Sequence, residues 1–233
     1  MQEAAAPAGL DQQRSRLVDH FKRAYQIIVG LAITLACTRL VPDGVPSVAV
    51  FSDTSFWLFC TFFITVVPIF HGGDRSLDIK YLGAAPKGFW GQAGYVWDVY
   101  MLLITAILFV KIAQSIPVPQ APSGGGLLAL APPSRPDMFY RWMAVMLFFD
   151  AWILLADSFK SDLRGGQGLT EQVGAYVPWI VLNIAFGLVC WFAQSPPGFF
   201  ASLSALAISI LVFACAFART VLDYVFGRRF MFP

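Results

Sequence analysis

The chain has 233 residues, of which 58% are hydrophobic and only 13% charged, with a formal net charge of +2. Soluble domains average about 45–50% apolar and about 25% charged residues, so this composition does not cover a soluble surface. Disorder, collagen and a basic nucleic-acid binder are excluded on the same grounds, and a balance of +2 implies no polyanionic partner. What remains is an all-α integral membrane protein whose first partner is the lipid bilayer.

A spanning helix needs about 20 mostly apolar residues to cross about 30 Å of hydrocarbon. Six segments qualify. They are preceded by a polar stub at 1–21, in which Leu10, Leu17, Val18 and Phe21 have helical spacing opposite Asp11, Arg14 and Arg16. This stub lacks the short apolar core and cleavage site of a secretory signal. The first span is predicted at 22–40. The second is at 54–70, with Pro68 kinking its last turn and Gly72 and Gly73 ending it. A charged loop at 71–94 follows, whose Leu77, Tyr81 and Leu82 suit an interfacial position. The third span is at 95–113. A connection at 114–137, rich in proline and carrying Gly124–Gly126, excludes a regular helix. The fourth span is at 138–158, and the Gly-rich loop 159–173 carries no phosphate-cradle pattern. The fifth span at 174–193 and the sixth at 199–219 are joined by the tight turn QSPPG. Residues 220–233 form a basic and aromatic tail. The runs are continuously apolar rather than alternating, so helices are favoured over a β-barrel.

Basic residues set the orientation. With the N-terminus in the cytoplasm, twelve of the sixteen Lys and Arg fall inside, leaving Arg39, Lys111, Arg135 and Arg141 outside. Both termini are then cytoplasmic, which agrees with an even number of spans. The pattern suits a bacterial inner membrane. Tryptophan and tyrosine near the predicted helix ends read as an interfacial belt. The four cysteines fall inside spans, without metal-ligand or disulfide spacing, and read as packing residues.

Ionisable groups within the hydrocarbon are expensive, about 2.5–3.5 kcal/mol for an Asp at a helix centre on insertion scales. Asp150 stands out, flanked by Leu147, Phe148, Phe149, Ile153 and Leu154. Asn183, entering from the other side on the fifth span, is predicted at similar depth and within hydrogen-bonding reach. Asp157 lies seven residues after Asp150, almost two turns on, and shares its face. Asp98 and His71 fall at the level of Asp157, and Asp74, Asp78 and Asp162 complete a polar rim under the membrane. Together these residues outline a path for a cation or proton, with Asp150 deepest. The plainer alternative is that Asp150 is satisfied by Asn183 and the rim groups are ordinary helix-end charges.

Catalytic templates fit poorly. Two histidines, His20 and His71, supply neither HExxH nor a His cluster, and no G-x-S-x-G elbow occurs. No metal site or cofactor fingerprint is present in the pattern. Small residues recur at four-residue spacing, as in Gly30 with Thr34 and Ala32 with Ala36, which suits close helix contact. The leading expectation is a non-enzymatic channel or transport-type subunit for ions or small solutes, assembled as a homo-oligomer or with a partner subunit. Its alternatives are an anchor or sensor docking a cytoplasmic partner through 71–94, 159–173 and the tail, and an intramembrane enzyme acting on a lipid-linked substrate.

Overall fold

A computed structural model describes residues 8–41, 51–81, 88–118, 136–159 and 169–226. The described chain is all-helical: α1 (Ala8–Leu40), α2 (Thr54–Tyr81), α3 (Gly88–Gln114), α4 (Pro136–Ser158), α5 (Leu169–Ala193) and α6 (Ala205–Phe226). A short 3-10 turn at Gly198–Ser202 precedes α6. Here the chain reverses after Pro196 and Pro197, and Gly198 takes the left-handed conformation, φ 53°, that favours residues without a Cβ.

Five helices, α2 to α6, are long and apolar enough to cross a membrane. The first is the exception to the expected six. Its apolar stretch is bracketed by Arg23 and Arg39, and its N-terminal half is the polar stub, continuous with it as one helix. Even so, α1 turns the apolar Ile27 and Leu31 outward, beside the exposed Gln26 and Thr34.

The main packing contacts close the helices into a ring in the order α1–α3–α4–α5–α6–α2, with α2 also touching α3. The most extensive contact is α4 against α5. The core between them is filled by Phe62, Phe109, Phe139, Met143 and Leu147, all fully buried. Outward, Ile27, Val181, Phe217, Val221 and Val225 are each well exposed. Apolar side chains on both the inside and the outside are what a bundle dissolved in lipid requires. All four cysteines are free.

Three expectations are corrected. First, Gly72 and Gly73 do not end the second helix; α2 runs through them to Tyr81. Packing overrides propensity here. A Cβ at Gly73 would sit 2.7 Å from Leu102 Cδ2, and Leu77 is buried rather than interfacial. Second, α6 does not end at Arg219. Seven further residues continue the helix, so 220–226 belong to it rather than to a tail. Third, Gly30 makes no close helix contact: nothing lies within 4 Å of its Cβ position, and Thr34 bonds back to the Gly30 carbonyl. Ala32 and Ala36 do pack, both fully buried.

Another close approach is at Gly187 of α5, where a Cβ would lie 2.7, 3.0 and 3.2 Å from the Phe148 ring of α4. Gly187→Ala is therefore expected to push this ring aside and to destabilise the bundle by about 1–3 kcal/mol, the usual cost of overpacking. An SDS titration of the purified protein measures it. An unchanged midpoint would show that the ring moves freely.

Candidate functional site

Charged groups gather in three clusters toward the end of the bundle where α1 begins. The deepest joins α4, α5 and α6. Asn183 donates from Nδ2 to Asp150 Oδ2 at 2.6 Å. Its carbonyl oxygen in turn accepts two bonds from Arg219, from Nε at 3.0 Å and Nη2 at 2.6 Å. Arg219 Nη1 lies 3.4 Å from Asp223 Oδ2, one turn further along α6. Asn183, Arg219 and Asp223 are buried, and Asp150 is partly buried. The amide of Asn183 is thus a two-sided adaptor, giving a proton to a carboxylate and taking two from a guanidinium.

The second cluster joins α2, α3 and α4. Lys80 places its ammonium 2.6 Å from Asp157 Oδ2 and 3.1 Å from Asp98 Oδ2. The Tyr81 hydroxyl donates to the same Asp98 oxygen at 2.7 Å. Tyr81 therefore points into the bundle, not along a membrane interface. The side chains of Lys80, Asp98 and Asp157 are all at most one-tenth exposed.

The third cluster joins α1 and α2. Lys22 lies 3.0 Å from Asp74 Oδ2 and 2.9 Å from both carboxylate oxygens of Asp78. Beside this cluster sits Tyr25, 1% exposed, its ring stacked on Phe70 at 5.3 Å and its hydroxyl close to Gly73 of α2. Among the described residues its hydroxyl has no hydrogen-bond partner, and neither does Asp74 Oδ1.

The structure thus joins Asp150 to Asn183 as the sequence suggests, and holds Asp98 and Asp157 at one level. Asp74 and Asp78 fall in a separate cluster. His71 lies on α2, partly buried, without an ion pair or hydrogen bond among the described residues. Asp162 falls outside the described residues. Among those residues, no group of three or more His, Cys, Asp or Glu side chains converges as a metal site.

Sequence reading missed the three cations, Lys22, Lys80 and Arg219, that organise the clusters. Arg219 was placed at a helix end, so Asp150 looked like the only deep charge. The signal for Arg219 was available: the apolar residues Val221, Leu222, Val225 and Phe226 continue the helix past it, and Asp223 follows at i+4. Lys80 gave no local signal, because its partners lie 18 and 77 residues away.

Magnitudes indicate what the clusters are for. Interhelical hydrogen bonds in membranes average only about 0.6 kcal/mol. Burying an unpartnered acid costs several times that amount. Pairing therefore matters less as glue than as the condition for having these acids inside the bundle at all. Removing a single partner is then the damaging change. Lys80→Met is expected to destabilise the protein by about 3–5 kcal/mol, because two buried carboxylates lose their cation. Thermal unfolding in detergent measures this, and adding Asp98→Asn and Asp157→Asn should recover much of the loss.

A cleft of about 280 Å³ lies at the other end of the bundle, lined by Asp137, Tyr140, Pro196, Leu203 and Ile208 among others. None of the three clusters opens into it. Compared with protein-family models, with curated proteins and with solved structures, the chain matches none.

Proposed function

We propose that this multi-pass membrane protein is a non-enzymatic, transport-type subunit that passes or controls an ion, with Asp150, Asn183, Arg219 and Asp223 as its intramembrane site. The observation that carries this reading is the charge arithmetic of that site. One guanidinium faces two carboxylates, bridged by an amide, within three apolar helices. As formally ionised, the site holds one negative charge too many. A proton or a small cation supplies the missing positive charge, and its arrival or departure changes the balance of the whole cluster. Asp98 and Asp157, held by Lys80, then stand between this site and the cytoplasmic surface as its approach. Opening that approach requires Lys80 to let go of at least one of them.

In this reading α1 spans the membrane along with α2 to α6, and the N-terminus lies in the cytoplasm. The outward Ile27 and Leu31 and the bias of Lys and Arg support both. The same bias suits a bacterial inner membrane. A tightly packed ring of six helices leaves little room for a private pore, so the path is completed at a contact with a second copy or a partner subunit.

An enzymatic reading is weaker on the same geometry. A hydrolytic site at His71, Asp74 and Asp157 needs these groups to share a cleft. Asp74 is tied to Lys22 and Asp157 to Lys80, in different clusters.

Asp150→Asn keeps the shape and hydrogen bonding of the side chain while removing its charge. Reconstituted in liposomes, this variant should fold and insert normally and lose most of the proton or monovalent-cation flux of the wild-type protein. Wild-type flux from the variant would sink the proposal and leave Asp150 as a structural acid.

A further inference from the structure

We infer that the cleft at the other end of the bundle is the outer mouth of the route to Asp150, taking a hydrated monovalent cation, and that an apolar plug between α4, α5 and α6 gates it. This rests on the transport reading and on the orientation given above. Three observations carry it.

The first is that cleft and site belong to the same helices. The cleft wall is made by Asp137 and Tyr140 of α4, Ala193 at the end of α5, and Ala205 and Ile208 of α6, with the α5–α6 turn closing it. Among the described residues, α1, α2 and α3 take no part in it. Asp150, Asn183 and Arg219 come from those same three helices and are joined by hydrogen bonds.

The second is register. Residues three and four apart share one face of a helix. Steps of that size lead from cleft to site on all three helices. On α4 they run Tyr140, Met143, Leu147, Asp150. On α5 they run Ala193, Cys190, Phe186, Asn183, in the opposite chain direction. On α6 they run Ile208, Val212, Ala216, Arg219. Ten residues at 1.5 Å each put Tyr140 about 15 Å from Asp150 along α4.

The third is what fills that distance. Met143, Leu147, Cys190 and Ala216 are fully buried, Val212 and Phe186 nearly so, and all six belong to one apolar cluster. A constriction of this kind holds back an ion by excluding the water the ion carries.

The cleft itself suits such an ion. Its volume of about 280 Å³ is room for several waters, at about 30 Å³ each in the liquid. Its walls of Ala193, Ala205 and Ile208 offer nothing to replace those waters, so the cation enters hydrated. Asp137 supplies one negative charge in the first turn of α4, where the helix dipole favours a carboxylate. One carboxylate matches one positive charge, the same deficit as at the site below. Passage needs the plug to part. Of the five apolar spans, α5 and α6 are the least covered, so contact with a second copy acts directly on two of the three helices that form the plug.

Cys190 reports on the plug from within. In nanodiscs, the cationic thiol reagent MTSET should modify Cys190 slowly in the wild type. In Val212→Ala, which thins the plug without touching cleft or site, modification should be at least tenfold faster by peptide mass spectrometry. Adding Ala205→Trp, which fills the cleft, should return it to the wild-type rate. Fast modification that persists in the double variant overturns the route, as does a Val212→Ala protein no more reactive than the wild type. If Val212→Ala fails to fold, Leu147→Val takes its place with the same two outcomes. Sodium and potassium flux in liposomes separates this inference from the transport reading. Should Asp150→Asn lose the flux while Ala205→Trp keeps it, the mouth is overturned and the transport reading stands. Should modification follow the expected pattern while the wild type carries no flux, the route stands and the transport reading falls. Flux confined to protons overturns the hydrated cation. Asp137→Asn should raise the cation concentration for half-maximal flux several-fold at unchanged maximal flux, and an unchanged value overturns the part given to Asp137.

Discussion

A carboxylate inside hydrocarbon must find a proton, a cation or a hydrogen-bond donor, and the charged part of this bundle is organised by that requirement. Each cation is shared between two acids. Lys22 serves Asp74 and Asp78, Lys80 serves Asp98 and Asp157, and Arg219 serves Asp223 directly and Asp150 through Asn183. Every helix contributes to at least one cluster, so the polar groups link all six. Away from this region the ties are sparser. Arg39 of α1 reaches the Ile116 carbonyl just past α3.

Apolar packing and polar pairing have different roles here. Phe62, Phe109 and Phe139 fill space, and similar side chains could fill it in several registers. An acid that must meet one particular lysine tolerates only one. Sliding α2 by a turn against α3 and α4 would strand Asp98 and Asp157 together. The clusters thus select among packings that hydrophobic contact alone leaves close in energy. Gly187 and Phe148 fix α5 against α4 sterically, and Asn183 with Asp150 fixes the same pair chemically.

The helical membrane fold was legible because lipid imposes length and composition on each span, and both are local properties. Asp150 and Asn183 were legible because polar groups stand out in apolar runs, and because consecutive spans cross the bilayer in opposite directions. The rest depended on information the local pattern lacks. Gly72 and Gly73 look like a helix stop until Leu102 and Tyr25 are seen packed over Gly73. Lys80 resembles any cytoplasmic lysine until a distant helix brings Asp157 to it.

The ring order has a bearing on biogenesis. Synthesis delivers α2 early and α6 last, yet these two helices lie side by side. While the ribosome is still making the end of the chain, α4 and α5 already hold Asp150 against Asn183, and the carbonyl of that amide has no guanidinium to face. Until α6 arrives, the bundle is a half-shell with an open seam. Arg219 then arrives with α6, as a latch that closes the seam and gives the Asn183 carbonyl its guanidinium.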